Sequence, residues 1–380
     1  MIQFRFLFLV TLFVGLCTGL TVIGAQTLNH SVQSPATAEI KIGLLIPDPE
    51  KLAAKHGAEL AIREANYKGG YSGRLFQLVV RSTEGPWGTG SKESVNLVFD
   101  DEVVAIMGSL DGRNAHLVEQ VAAKTRIICL SAWATEMTLS QAFVPWHYRC
   151  VPNDDQQATS LIKEIYEKRK IINVAIIGTE DYDSRNAVHS FIETATLMNV
   201  PLPRQFLFKS TVENFQMTLQ EIDQYDVGAI ILFGKPALAS DIIPLLKEQN
   251  MNQPVFGSFS VMDDQKACNP NWDIFEGLNL VSSGHWFTEK GIAFQKAFQE
   301  TFGYQPGAAA AYAYDGINRI IEVIQKSGPD RDKIIDAFAE INYITGVTGE
   351  IRFDTNGNRM GIPGIMTIKN GNPYVIAGDK

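Results

Sequence analysis

From Ile40 onward the chain alternates between two hydrophobic rhythms. Short apolar, β-branched runs at Ile40–Ile46, Leu75–Ser82, Val103–Leu110, Arg126–Ala132 and His147–Val151 predict strands. Between them the apolar positions recur with helical spacing, over Glu50–Asn66, Ser91–Asp100 and Asn114–Lys124. The rhythm then restarts. A helix over Asp155–Lys168 leads to strand Ile172–Gly178, helix Ser184–Met198, strand Arg204–Ser210 and helix Phe215–Gln224. Strand Val227–Phe233, helix Pro236–Gln249 and strand Pro254–Phe259 follow. Helical spacing returns at Ile292–Phe302, Ala308–Ser327 and Arg331–Ile341, and short strands surround the turns Asp354–Gly357 and Asn370–Gly371.

Strands alternating with helices predict parallel pairing and right-handed crossovers, hence an α/β fold. A single sheet would need too many strands, so the pattern predicts two doubly wound, Rossmann-like lobes. No low-complexity linker separates the halves. Exchanged segments are therefore expected, with hinge crossings near Cys150–Asn153, Val281–Gly284 and Gly346–Phe353. This gives a first lobe of residues 40–150 plus 285–345 and a second of 151–284 plus 346–380.

The start of the chain has a different character. Arg5 is followed by the uncharged apolar run Leu7–Ile23 and then by the small residues Gly24 and Ala25. A basic head, an apolar run and a small-residue site make residues 1–25 a secretory signal with cleavage after Ala25. The run also approaches membrane-spanning length, which leaves an uncleaved anchor open, and Cys17 leaves a lipid-modified cysteine open. All three readings place the remainder in the periplasm or otherwise outside the cytoplasm. Of four cysteines, Cys129, Cys150 and Cys268 remain after the signal, an odd number without a CxxC pair. A Cys129–Cys150 disulfide and buried free thiols are the two alternatives.

Composition narrows the function. At 380 residues, 45% hydrophobic and 20% charged, the chain can bury two cores. Its formal charge of −9 excludes nucleic acid as the main partner. Six histidines form no HExxH or other close ligand pair, so neither a metal nor a cofactor is expected. Gly257-Ser258-Phe259-Ser260 lacks the register of a nucleophile elbow. The glycine-rich stretch Gly85–Lys92 resembles a phosphate loop, but Ser91 displaces the lysine from the Walker position. Asp354–Asn358 lacks the distal glutamate of a calcium loop and reads as a hairpin turn. These absences point to a non-enzymatic binding protein.

Six segments in order resemble the periplasmic leucine/isoleucine/valine-binding protein family, the type I solute-binding proteins of ABC importers. They are Ile40–Ile46 with His56-Gly57-Ala58 and Ala61–Gly70; Val103–Gly108 with Ser109–Gly112; Ile127–Ser131 with Ala132–Thr135; Tyr148-Arg149-Cys150 with Asn153–Gln157; Ala313–Gly316; and Gly346–Gly349 with Ile351–Asp354. The resemblance implies two lobes joined by three crossovers, acting as a monomer. It also implies one small ligand held in the cleft and delivered to an ABC permease. Control of a partner protein by the same cleft, as a surface sensory module, is the alternative.

The first ligand candidates lie on loops leaving strands, where open α/β sheets bind ligands. Ser109 matches the position that gives the family's ligand carboxylate a hydroxyl; Asp111 beside it departs from the pattern and reads equally as a helix cap. Ala132 and Thr135 match the carbonyl and hydroxyl that hold the amino-acid head, and Thr135 reads equally as an N-cap. Tyr182 matches the family's covering aromatic. Trp87 and Trp133 sit on loops leaving first-lobe strands, where they are expected to stack on the ligand. The acid that the resemblance places beyond Pro254–Phe259, to pair with an ammonium, is replaced by Ser260-Val261. Asp263 and Asp264 follow later, which opens carboxylates and amides as ligands besides amino acids.

Overall fold

The run Ile40–Ile46 forms β1, buried on both faces because it lies inside a parallel sheet covered by helices on either side. The computed structural model describes residues 39–141, 144–208, 212–262, 272–340 and 344–376. The 1–25 segment, Cys268 and Asp263 lie outside the described residues.

Strands β1, β2 (Phe76–Ser82), β3 (Ala105–Gly108), β4 (Ile128–Ser131) and β5 (His147–Arg149) make an all-parallel sheet of order β2-β1-β3-β4-β5. Helices α1 (Leu52–Tyr67), α2 (Thr89–Phe99) and α3 (Gly112–Thr125) supply its crossovers. The chain then passes through α4 (Asp154–Ile162), whose last part widens into a π-helical stretch over Lys163–Lys168, and begins a second sheet. That sheet contains β6 (Val174–Thr179), β7 (Arg204–Phe208), β8 (Ala229–Phe233), β9 (Val255–Gly257) and β10 (Asn279–Val281). Its helices are α5 (Tyr182–Leu197), α6 (Val212–Asp223) and α7 (Pro236–Glu248).

After β10 the chain returns to the first sheet through α8 (Glu289–Phe302), α9 (Ala308–Ser327) and α10 (Arg331–Glu340). Helix α9 lies along α1, and four alanines, Ala308–Ala311, open it. A Cβ on Gly57 would sit 2.1 Å from the Ala310 carbonyl oxygen, so small residues on both helices let the backbones touch. The chain then crosses once more, through the hairpin of β11 (Ile344–Gly346) and β12 (Gly349–Ile351). The antiparallel strands β13 (Ile365–Lys369) and β14 (Asn372–Val375) complete the second sheet in the order β14-β13-β10-β9-β8-β6-β7. The turn between them carries positive φ at both Asn370 and Gly371, the geometry a tight hairpin requires.

A buried carboxylate and a half-buried guanidinium bind the crossings together. Asp315 of α9 accepts hydrogen bonds from the Val347 and Thr348 backbone N–H groups at 2.8 and 2.9 Å, and from the Thr348 hydroxyl. Arg359 donates to the Cys150 carbonyl at 3.0 Å and to the Thr348 and Glu350 carbonyls at 2.9 Å each, joining the first crossing to the third. Strand β10 has no counterpart in the sequence reading: it is three residues long, contains Asn279, and directly adjoins an expected crossing. Cys129 and Cys150 are buried free thiols.

Candidate ligand-binding site

The loops at the carboxyl ends of both sheets enclose a cavity of about 490 Å³. On one side stand Ser109 and Asp111 after β3, and Trp133 and Thr135 after β4. Opposite lie Asp181, Asp183 and Ser184 at the start of α5, Lys235 after β8, and Ser258–Ser260 after β9.

Short polar residues dominate because the helices of these loops begin here and need acceptors for their first N–H groups. Asp111 caps α3, accepting from the Asn114 backbone at 2.8 Å and from its side-chain amide at 2.9 Å. Asp181 caps α5, accepting from the Ser184 N–H at 3.2 Å and its hydroxyl at 2.8 Å. Asn153 and Gln156 form a reciprocal capping box at the start of α4. That box fixes Asp154, the first residue of the helix, on the cavity wall.

Asp154 is the most constrained polar group of the site. It is 4% exposed, and its Oδ2 has no hydrogen-bond partner among the described residues. Burial pushes its carboxyl up to about 7, against a hydrogen bond from Thr135 and the nearby Arg149 charge that both favour ionisation. Thr135 is held from behind. Its carbonyl accepts from the Asp154 N–H at 2.9 Å and from the buried Arg149 guanidinium at 2.6 Å. Asp183 is also raised, to about 6, by burial and by Asp111 and Asp181 beside it. The apolar part of the wall is Trp133, edge-on to Phe259 with centroids 5.1 Å apart, and Phe233. Gln157 fixes Phe259 by accepting its backbone N–H at 3.3 Å. Among the described residues, no group of three or more His, Cys, Asp or Glu side chains is arranged to hold a metal ion.

Ser109, Asp111, Trp133 and Thr135 are thus brought together. Ala132 stands behind them, its side chain fully buried and its N–H given to the Gly108 carbonyl at 2.8 Å. Tyr182 lies at the rim rather than on the wall: Arg113 sits over its ring at 5.2 Å and its hydroxyl bonds Glu136. Trp87 is 69% exposed and does not line the cavity; Arg113 lies 5.7 Å from its ring. Asp48, Lys51, Asp154, Gln157, Asp181, Asp183 and Lys235 line the cavity without having been singled out in the sequence. For Asp154 a signal existed in the Asn153–Gln156 capping box directly after a strand.

A family model described as periplasmic binding protein matches residues 39–368. The chain belongs to this family. A periplasmic binding protein of this kind has many relatives at low identity. "Leu/Ile/Val-binding protein homolog 2" of Brucella abortus is 21% identical over 341 residues, covering 87% of this chain and 90% of the relative. Among solved structures, the substrate-binding protein LivJ of Streptococcus pneumoniae, in complex with isoleucine, matches with a TM-score of 0.77 at 21% identity. The match covers 89% of this chain and 98% of that one. A solute-binding protein of R. palustris, in complex with benzoate, matches with a TM-score of 0.77 at 17% identity, over 89% and 96% of the two chains. The fold is that of the type I periplasmic binding proteins, α/β with two Rossmann-like lobes.

Proposed function

We propose that this periplasmic binding protein captures one amino acid or closely related carboxylate or amide outside the cytoplasm and delivers it to an ABC permease, without chemistry. The observation that carries the reading is the unpartnered Oδ2 of Asp154, buried on the wall of a cavity between the two sheets. A buried carboxylate oxygen without a donor is costly, and a ligand ammonium or amide N–H removes that cost. Ser109 and Thr135 supply hydroxyls beside it, so an amino-acid head has both an anion and hydroxyl donors within one loop cluster. Trp133, Phe233 and Phe259 cover the ligand's apolar part. The lobes, residues 40–150 with 285–345 and 151–284 with 346–380, close on the ligand by rotation about the three crossings, because only the closed form makes both sets of contacts.

Thermal melts of ligand-stripped protein against neutral amino acids, acidic amino acids, their amides and aromatic carboxylates test this. A concentration-dependent rise in melting temperature is expected for at least one class. Flat melting temperatures across all of them overturn the reading.

A further inference from the structure

We infer that the captured solute is a cationic amide, with an amine but no free carboxylate; this narrows the solute-capture reading above and rests on it. The starts of α3, α4 and α5, where a carboxylate could bind, are already filled by the protein's own side chains. Beside Ser109, the Gly112 N–H that opens α3 donates to Asp183 at 2.9 Å, and the Asn114 N–H donates to Asp111 at 2.8 Å. At α5 the Ser184 N–H donates to Asp181 at 3.2 Å, and at α4 the Gln156 N–H donates to Asn153 at 2.9 Å. A helix start binds an anion through N–H groups that remain free. A ligand carboxylate beside Ser109 would find these donors taken and would meet Asp111 and Asp183 as like charges.

The charges on the wall favour a cation. Asp48, Asp111, Asp154, Asp181 and Asp183 line the cavity, against Lys51 and Lys235 and no arginine or histidine. Exposure strengthens the imbalance: both lysines are exposed, at the uncapped starts of α1 and α7, whereas none of the five carboxylates is. Solvent screens the lysines, and the carboxylates act across a drier interior. Lys235 is further committed, since its charge helps to keep Asp181 ionised.

A separate observation has the same sign. Asp154 is 4% exposed and its Oδ2 has no hydrogen-bond partner among the described residues, so a buried acceptor on the wall lacks a donor. The Asp183 charge opposes ionisation of Asp154, and a ligand ammonium beside Asp154 relieves that repulsion. An amide suits the rest of the loop cluster. Its carbonyl can accept from the Ser109 hydroxyl, and its N–H groups can donate to Asp111 and Asp183 where a carboxylate would be repelled.

Isothermal titration of the full chain with leucine, phenylalanine and glutamine, each paired with its α-amide, tests this in wild type, Asp111→Asn and Asp183→Asn. In wild type an α-amide is expected to bind roughly tenfold or more tightly than its parent amino acid, because only the parent carries the repelled carboxylate. Asparagine at 111 keeps the helix cap, and asparagine at 183 keeps an acceptor for the Gly112 N–H, so each change removes one negative charge and little else. Each variant should cut the preference for the amide by about threefold or more. A parent amino acid that binds as tightly as its amide, or a preference unchanged in both variants, overturns the inference and leaves solute capture standing. A rise in melting temperature confined to carboxylates does the same. Absence of binding by every compound, with flat melts across the wider panel, overturns both.

Discussion

The Asn186 side-chain amide donates to Glu136 Oε2 at 2.7 Å, tying the helix after β6 to the loop after β4 across the cleft. Glu136 is almost fully buried and collects further partners there: His116, Thr138 and the Tyr182 hydroxyl. One turn away the Gly112 N–H donates to Asp183 at 2.9 Å, again from one sheet's loops to the other's helix. The lobes are therefore joined at the rim by direct hydrogen bonds, beside the cavity and independent of its contents. A closed form stabilised in this way lowers the work that a ligand must do.

Gly112 sets how closely this rim can shut. An added Cβ would meet Glu136 Cγ at 2.9 Å and Asp183 Oδ1 at 3.1 Å. The Glu136 contact lies within one lobe and persists when the lobes part, so Gly112→Ala should lower the melting temperature of the unliganded protein slightly. It should also weaken ligand binding by about threefold to tenfold, because the Asp183 contact adds a penalty that only the closed form bears. Titration calorimetry reads the affinity and small-angle scattering reads the open fraction. Unchanged affinity would show that the rim contacts do not contribute to closure.

The alternation of strands and helices was readable along the chain because the central β-branched runs are buried on both faces and each helix keeps its periodic stripe. Ile40–Ile46 and Ala308–Ser327 coincide with the observed elements at both ends. Strand β10 was hidden, since three residues including Asn279 carry no alternation to read. In the site, Ser109, Trp133 and Thr135 could be placed because they follow strong strands. Trp87 follows one too, but β2 is the edge strand of its sheet, and its loop opens away from the cavity. Lys51, Lys235 and Glu136 were not legible: each looks like an ordinary loop charge until folding sets the two sheets face to face.

Burial raises Asp154 to about 7 and Asp183 to about 6, above an unfolded value of about 4, so these two bind extra protons in the native state. The buried His147 and His285, both pushed down to about 3, gain protons only on unfolding and offset the carboxyls between about pH 5 and 6.5. Above about 7 the native state binds the more protons, so unliganded stability should fall as pH rises from about 7 to 9. Hydrogen bonds donated to Glu119 and then to Glu136 raise His116 to about 9, so its contribution is full below its unfolded pKa of about 6.5 and is lost through 9. Below 5 the sign reverses at Glu136: burial opposes ionisation, but hydrogen bonds from His116, Tyr182 and Thr138 outweigh it and hold the carboxyl low. Melting temperatures across pH 4 to 9 check this, with His116→Gln expected to flatten the alkaline limb.

The hinge should be sensitive at Asp315. Its carboxylate takes two backbone N–H groups and a hydroxyl from Val347 and Thr348, all buried. Asp315→Ala strands those donors and is expected to cost about 2–4 kcal/mol of unfolding free energy, measured by urea denaturation. Asp315→Asn keeps one acceptor oxygen and should cost less. Equal and small losses in both would show that the third crossing is held mainly by Arg359.

Asp154 offers the sharpest separation of binding from stability, because Asp154→Asn should move the two in opposite directions. The wild-type carboxylate is buried, carries one oxygen without a partner, and has its pKa pushed up to about 7. In the empty protein near neutral pH, replacing it by a neutral isostere removes the cost of burying charge, so the melting temperature should rise. A ligand ammonium loses its counter-ion in the same change, so affinity should fall by roughly 10- to 100-fold. The wild-type affinity should also weaken as pH drops below 7 and protonates the carboxyl, while the affinity of the asparagine variant stays level. A variant that loses both stability and binding would make Asp154 a structural support of Thr135 instead of the ligand's anchor.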